Sequence, residues 1–574
     1  MTLDADTRTQ SRFTDAQRFL LLAVLVGVMT GLVVVCFHAA IELLAWFTMD
    51  YATSPALRIL APGIGAAAAT LVVRYLAPAG RGSGIVQTKS AIYVLNGHIP
   101  ASAVPGKFAS CCLSIGTGTP LGPEDPSLLM GAGIASWLGR VFELSRRSMR
   151  LVAPTGAAAG IAAAFNTPIT AVLFVMEEVV AAWDAAVLGS IVLAAVSAVV
   201  VTRLFLGDAP LFSVPDLVAR VEMGQVLAFA LVGAASGIFA AMYVRGIAAV
   251  RRRVRLRALR VPGLAPFAAG AAAGAVGLWL PEVLGPGYRA MDAAMHGQYP
   301  WTTMALLGGA KLVVAALAFG AGSPGGLFAP TLFLGVMLGG TVAGAVGALG
   351  PGVLPALDAP AVMFVLAGIS GVFAGVFRAP MTAVFMVFEL SGSSAIIVPA
   401  MITGTLGFLV ARTLHHRSLL DLVADDEGAV LPSARQLREE EPLRVEQALG
   451  RATVAVVPID ATRATARVAA QSSGARFVLT LSDGRWRGML STTLDHAPDA
   501  AAPDHRSLSD DPALRPLEVV HLDEPVDVAL RHLASQPFVP VVSRLDPAVV
   551  DGIVTLEDVH AAYGIGPPAP AAPD

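Results

Sequence analysis

The sequence predicts an all-α polytopic membrane protein built from broken helices, followed by a small α/β module. Three observations lead there. Only 14% of the 574 residues are charged and 55% are hydrophobic, against about 25% charged in a soluble globular chain. That deficit lies before about residue 425, and an ordinary, charged stretch follows. Within the apolar part, glycine-rich breaks interrupt the hydrophobic runs: Gly82-Ser83-Gly84-Ile85-Val86, Gly122-Pro123-Glu124-Asp125-Pro126 and Gly325-Gly326-Leu327-Phe328-Ala329-Pro330. Freed backbone N–H groups find no water in a bilayer, so such breaks persist only where they are buried in protein or line a polar cavity. A helix that starts at a break presents unpaired N–H groups and partial positive charge. Several such starts converging at mid-membrane would make a site for a small anion.

Along the chain, residues 1–17 are polar and mixed in charge, and read as a cytoplasmic N-terminal segment. The apolar run from Phe19 to Phe47 is too long for a signal peptide and lacks its cleavage signal, so it reads as a retained first membrane helix. Clean spans of about 20 apolar residues are few, with 19–47 and 224–249 the best. Elsewhere the Gly and Pro spacing predicts short, tilted or re-entrant helices. Small-residue runs such as Gly156-Ala157-Ala158-Ala159-Gly160 permit close helix approach. Cys36, Cys111 and Cys112 have no metal-ligand spacing and read as packing residues.

The transmembrane domain is set at 18–425, in two repeats of about 18–205 and 222–425. The warrant is an internal echo. Residues 155–178 and 367–390 both run from a small-residue helix into Pro-x-Thr-Ala-Val, an apolar stretch and then glutamate, Glu177-Glu178 in one and Glu389 in the other. Two such halves fit a duplicated transporter fold with inverted topology, and Glu389 reads as a packing or capping residue. Dense arginine clusters, Arg251 to Arg260 and Arg140 to Arg150, should face the cytoplasm. The expectation is a multi-pass protein of the bacterial inner membrane with both termini cytoplasmic. A net charge of −3 gives no argument for nucleic acid.

After a linker at 426–442, residues 443–565 hold two segments of one plan: helix, strand, turn, strand, helix. The first contains Phe477-Val478-Leu479-Thr480-Leu481, the turn Ser482-Asp483-Gly484 and Gly488-Met489-Leu490-Ser491; the second contains Phe538-Val539-Pro540-Val541-Val542 and the run Gly552 to Val559. This resembles the tandem CBS module. The resemblance implies that Thr555 and Asp558 of the second copy contact a ribose in nucleotide-binding members. Leu494 stands where the first copy would carry its acid. Weak or no adenine-nucleotide binding is therefore expected, with a dimerising module as the other reading. Residues 566–574 read as a disordered tail.

The three breaks, in this order and spacing, resemble the CLC family of chloride channels and proton-coupled chloride antiporters. Glu124 lies 41 residues after Ser83, as the family spacing requires. Lys107-Phe108, the run Gly156 to Gly160, and Ala164-Phe165-Asn166-Thr167-Pro168 add to the match. There are departures. Val86 stands where the family usually has Pro, and Gly-Pro-Glu-Asp-Pro replaces Gly-Arg-Glu-Gly-Pro. Leu420 stands where the family supplies a tyrosine hydroxyl to the anion.

The resemblance implies a role for each site residue. Chloride is held by neutral donors, weakly enough to leave again. Ser83 would donate its hydroxyl, with Gly84 and Ile85 beside it. The amides of Leu327 and Phe328 would complete the cradle. Glu124 would be the gate and external proton acceptor. Ionised, it fills a position an anion could take; protonated, it swings away. A carboxylate at mid-membrane is a functional residue by default. Asp125 would cap or bind backbone, and Lys107 would support anion entry. Glu178 would be the internal proton site. The implied function is chloride/proton antiport through a pathway in each subunit of a homodimer, with no cofactor. The other reading on the same fold is a passive voltage- or pH-gated chloride channel. A membrane enzyme is disfavoured by scattered histidines and few acids within the spans. An inert membrane part serving a nucleotide sensor is disfavoured by Ser83 and Glu124 at family spacing.

Overall fold

The computed structural model describes residues 15–50, 54–144, 146–180, 185–207, 214–215, 225–256, 261–348, 360–428, 443–450, 454–475, 477–482, 485–491, 507–511, 514–515, 517–544 and 549–562. The chain forms two units, Met1–Pro432 and Ser433–Asp574.

The first unit is helical. Its first half holds α1 (Asp15–Ala45), α2 (Pro55–Leu71), α3 (Gly84–Tyr93), α4 (Ala103–Gly116), α5 (Glu124–Val141), α6 (Arg146–Phe165), α7 (Pro168–Phe174) and α8 (Ala185–Leu206). Its second half holds α9 (Gln225–Leu256), α10 (Leu264–Gly277), α11 (Tyr288–Met295), α12 (Trp301–Gly320), α13 (Phe328–Ala348), α14 (Ala361–Phe377), α15 (Pro380–Ser391) and α16 (Ile397–Leu414). A last short helix, α17, spans Leu419–Glu427.

Seven described helices are long and apolar enough to cross a membrane, more than the clean spans expected. Glycines inside the helices of this unit do not break them where another backbone passes close by. A Cβ on Gly131 would lie 2.1 Å from the Gly156 carbonyl oxygen, and one on Gly339 as close to that of Phe364. Those contacts join α5 to α6 and α13 to α14. Contacts beyond the van der Waals minimum of a side chain are how small residues drive helix association where no hydrophobic gain is available.

The two halves repeat one another. α1 packs on α8 as α9 does on α16, and α6 packs on α8 as α14 does on α16. α6 ends at a left-handed residue, Asn166 (φ 58°), and α14 ends at Arg378 (φ 63°), 212 positions later. A proline then opens the next helix in each case. The cap of that helix comes from the other half. The Glu177 carboxylate accepts from the amides of Met381 (3.2 Å) and Thr382 (2.9 Å) at the start of α15. The Glu389 carboxylate accepts from Ile169 (3.0 Å) and Thr170 (2.8 Å) at the start of α7. Each glutamate also takes its threonine hydroxyl, at 2.8 and 2.7 Å. A reciprocal contact of this kind is what a two-fold relation between repeats produces. The capping role read for Glu389 is the one it has.

The second unit holds two copies of one plan. In the first, β1 (Val454–Pro458) runs parallel to β2 (Phe477–Ser482), with α18 (Arg463–Ser473) between them, and β3 (Arg485–Ser491) returns antiparallel. In the second, α19 (Val526–Leu533) precedes β4 (Phe538–Val542), which pairs antiparallel with β5 (Val550–Thr555), and α20 (Leu556–Ala562) follows. Val520 bridges in parallel to Val541, in the place β1 takes in the first copy. This leading strand was not expected. The copies share a core of Leu479, Met489, Phe538 and Ile553, with the rings of Phe477 and Phe538 4.1 Å apart.

Two boundaries are corrected. The linker set at 426–442 begins too early, because α17 runs through Asp425, Asp426 and Glu427 and the first unit ends at Pro432. Acids in a last turn oppose the helix dipole, which is why the stretch reads as linker. Cations hold two of them: Arg417 reaches Asp425 at 2.5 Å and Arg251 reaches Asp426 at 2.8 Å. The polar segment set at 1–17 likewise ends inside α1, which begins at Asp15. Residues 1–14, Leu494 and the tail set at 566–574 lie outside the described residues.

Candidate functional site

The three glycine-rich breaks meet. Gly122 and Gly326 form a two-residue antiparallel bridge, each amide donating to the other's carbonyl at 2.8 and 2.7 Å. Gly326 lies 204 residues after Gly122, as Pro330 lies after Pro126, so the bridge joins equivalent positions of the two repeats. It fixes the first turns of α5 and α13 against each other. Leu327 and Phe328 follow the bridge directly, at the start of α13. The Phe328 ring packs on Phe174 (centroids 4.7 Å), Phe377 (4.6 Å) and Phe373 (5.2 Å).

From the first turn of α5, two adjacent acids engage two other helix starts. Asp125, 3% exposed, binds the start of α3. Its carboxylate accepts from the Ser83 hydroxyl at 2.9 Å and from the amides of Gly84 at 2.8 Å and Ile85 at 3.0 Å. The donors read as an anion cradle at Ser83, Gly84 and Ile85 are thus engaged by a carboxylate of the chain itself. Gly84 permits this approach, since a Cβ there would lie 2.3 Å from the Asp125 carbonyl oxygen.

Glu124, fully buried, meets the start of α11. Its Oε1 accepts from the Tyr288 hydroxyl. Its Oε2 is buried without a hydrogen-bond partner among the described residues. It fits against Gly122, where a Cβ would sit 2.2 Å from that oxygen. Among the described residues no cation is bonded to this carboxyl. An ionised carboxylate so placed carries a desolvation cost of several kcal/mol with little to offset it.

Two buried lysines hold the loops that precede these helix starts. Lys107 on α4 donates to the carbonyls of Gly82 and, at 3.5 Å, Gly80. Lys311 on α12, again 204 residues later, donates to those of Val283 (2.9 Å) and Gly285 (2.6 Å). Lys107 therefore shapes the loop before Ser83. The Ser83 amide is taken by Glu427 of α17, at 2.9 Å. A cavity of about 910 Å³ ends at this point, lined among others by Arg81, Ser83, Arg251, Ser323 and Glu427.

Glu178 lies in a single π-helical turn, Val175–Val179, that continues α7. Such turns are frequent at functional sites. Its carboxylate pairs with Lys89 of α3 at 2.7 Å, and both side chains are about one-eighth exposed (12% and 13%). Leu420 is buried in the first turn of α17 and brings no hydroxyl. In the second unit, Asp558 accepts from the Thr555 amide (2.9 Å) and hydroxyl (2.6 Å), and its own amide donates back to that hydroxyl (3.2 Å). The pair closes the start of α20 by itself, as a capping box does.

Sequence reasoning missed Tyr288, Lys89, Lys311 and Glu427. Tyr288 had a signal: Gly285-Pro286-Gly287 before it is a fourth break, and Tyr288 stands 204 residues after Gly84.

Comparison with known proteins gives the family. The family model described as voltage gated chloride channel matches residues 64–412. A ClcB-like chloride channel protein of Ralstonia nicotianae is 31% identical over 407 residues, 68% of this chain and 93% of that protein. The H+/Cl− exchange transporter ClcA of Vibrio campbellii is 28% identical over 431 residues, 72% of this chain and 90% of its own length. Among solved structures, a slow cyanobacterial Cl−/H+ antiporter superposes with a TM-score of 0.64 at 24% identity, over 72% of this chain and 98% of its own. A eukaryotic CLC transporter superposes at 0.61 and 19% identity, over 94% of this chain and 98% of its own. With a family model spanning most of both repeats and a relative at this identity and coverage, the chain belongs to the voltage gated chloride channel family.

Proposed function

We propose that this protein exchanges chloride for protons across a membrane, with Glu124 as gate and outer proton acceptor and Glu178 as inner proton site. The observation that carries the reading is the Glu124 carboxyl. It is wholly buried where the α5 and α11 starts meet, bonded to one neutral hydroxyl, with its second oxygen unpartnered. A group held this way gains by taking a proton or by yielding its place to a mobile anion. The exchange transporters among the relatives support the same assignment. Ser83, Gly84, Ile85, Leu327 and Phe328 are the anion donors in this reading. The helix starts that meet at Glu124 and Asp125 belong to one compact unit, and the proposal takes each subunit of a homodimer to carry its own pathway.

The experiment is chloride and pH flux in liposomes holding the purified protein. The wild type should drive protons against a chloride gradient. Glu124→Gln should pass chloride with no proton movement, because Gln copies the protonated acid and carries no proton. Proton-driven chloride uptake that persists in Glu124→Gln liposomes would overturn the gate assignment. The passive channel is the second reading, and the Lys89–Glu178 pair favours it, since a carboxylate held by an ammonium is poorly free to relay protons. Glu178→Gln separates the two: loss of proton movement with chloride flux retained supports exchange, and unchanged ion movements support a channel.

In the same proposal the second unit is a tandem CBS module, supported by its two similar copies. The arginines at the end of α9 support a cytoplasmic side for that end and for the cavity beside Arg251. Titration of the full-length protein with adenine nucleotide should give weak or no heat, because Asp558 is committed to its own helix cap.

A further inference from the structure

We infer that Asp125 is a tethered competitor for an inner chloride seat, so that an anion reaches the start of α3 only in exchange for the Asp125 carboxylate. The inference rests on the anion-transport reading and concerns what occupies the seat when no anion does.

The donor set at the start of α3 suits an anion: one hydroxyl and two amides within 3.0 Å of a single group. Such hydrogen bonds to a charged acceptor are the stronger kind, and the helix start adds partial positive charge. The group they hold is itself an anion, attached to the neighbouring helix. Two further observations point to a mobile ligand here. The cavity of about 910 Å³ opens onto Ser83. Ser323, 4% exposed, lines the same cavity, and its hydroxyl is buried without a hydrogen-bond partner. A chloride seated at Ser83 would take the place of the Asp125 carboxylate on these three donors.

A strut between α3 and α5 would need only a neutral hydrogen-bonding side chain. The structure has a carboxylate, with Glu427 taking the Ser83 amide beside it.

The test is chloride titration by calorimetry on the purified full-length protein in detergent, in wild type, Asp125→Gly, Asp125→Asn and Asp125→Gly/Ser83→Ala. Asp125→Gly should bind chloride at least tenfold more tightly than wild type, and Asp125→Asn, which keeps the shape and loses the charge, should gain in part. Adding Ser83→Ala should remove most of the gain, placing it at α3. Thermal unfolding with and without chloride identifies folded variants, and Asp125→Asn decides alone if the glycine variant does not fold. Unchanged or weaker chloride binding in the folded variants overturns the inference and leaves Asp125 a strut. A wild type that moves no chloride in liposomes would instead sink the transport reading, a failure the calorimetry does not share.

Discussion

At the scale of single residues, the site is a set of carboxyls matched to helix starts. The Tyr288 hydroxyl donates to Glu124 Oε1, and a hydrogen bond to a charged group contributes about 1.5–3 kcal/mol. Tyr288→Phe should therefore release Glu124 more readily, with chloride efflux from liposomes rising roughly tenfold at fixed pH. In a Glu124→Gln background the same change should add little, since contacting residues couple and the coupled partner is already altered. Slower efflux in Tyr288→Phe would mean that the hydroxyl serves the anion and not the gate. Leu420→Tyr belongs here too. A neutral donor restored at a buried anion should tighten chloride by about 1–3 kcal/mol, about tenfold to hundredfold. It should also bring more protons per chloride. No change in either would mean that Leu420 does not stand at the family's tyrosine position.

At the scale of elements, the reciprocal caps of α7 and α15 give a prediction that separates structure from transport. Removing a cap costs about 0.5–2 kcal/mol. Glu389→Gln should lower the unfolding temperature while leaving the proton-to-chloride ratio intact. Glu178→Gln should change the ratio, and any loss of stability there comes from leaving Lys89 without its carboxylate and not from a lost cap. A changed ratio in Glu389→Gln would mean that this cap takes part in coupling. The echo behind these caps was legible in sequence because Pro, Thr, Ala, Val and Glu recur in one register, and both halves need the same turn and the same cap. The second echo, at 204 residues, is fainter. There the repeats keep little beyond glycine, proline and lysine, and the chemistry differs: Glu124 stands opposite Phe328, and Gly84 opposite Tyr288. A bridge that requires glycine on both sides leaves no side-chain pattern to read. Asp125 was read as a backbone binder, but the particular helix start it holds could not be read, because a partner 41 residues away is chosen by packing.

At the scale of the molecule, the first unit closes its own site, and the point at which it closes lies past the last membrane helix. The polar texture that begins at Asp425 suggests that the membrane part ends there, yet Glu427 returns to the Ser83 amide at 2.9 Å and Asp426 holds Arg251 at 2.8 Å. Two truncations make this testable. A chain ending at Pro432 keeps α17 and every residue of the site. It should bind chloride as the full-length protein does, with altered stability or gating if the second unit regulates. A chain ending at Ala424 loses Glu427 and leaves the Ser83 amide, Lys107 and Arg251 without their acidic neighbours. Two consequences should appear together. The loop at Gly82 should loosen, which hydrogen exchange over residues 78–86 would record. Chloride affinity should change by tenfold or more, since a carboxylate has left the rim of the cavity. Calorimetry on both truncations, with thermal unfolding as the check on folding, decides the matter. If both bind as full-length protein does, Glu427 is a surface acid and the site ends at α16. If both lose binding while folded, the second unit takes part in the site, and the separation of transport from the C-terminal module is wrong.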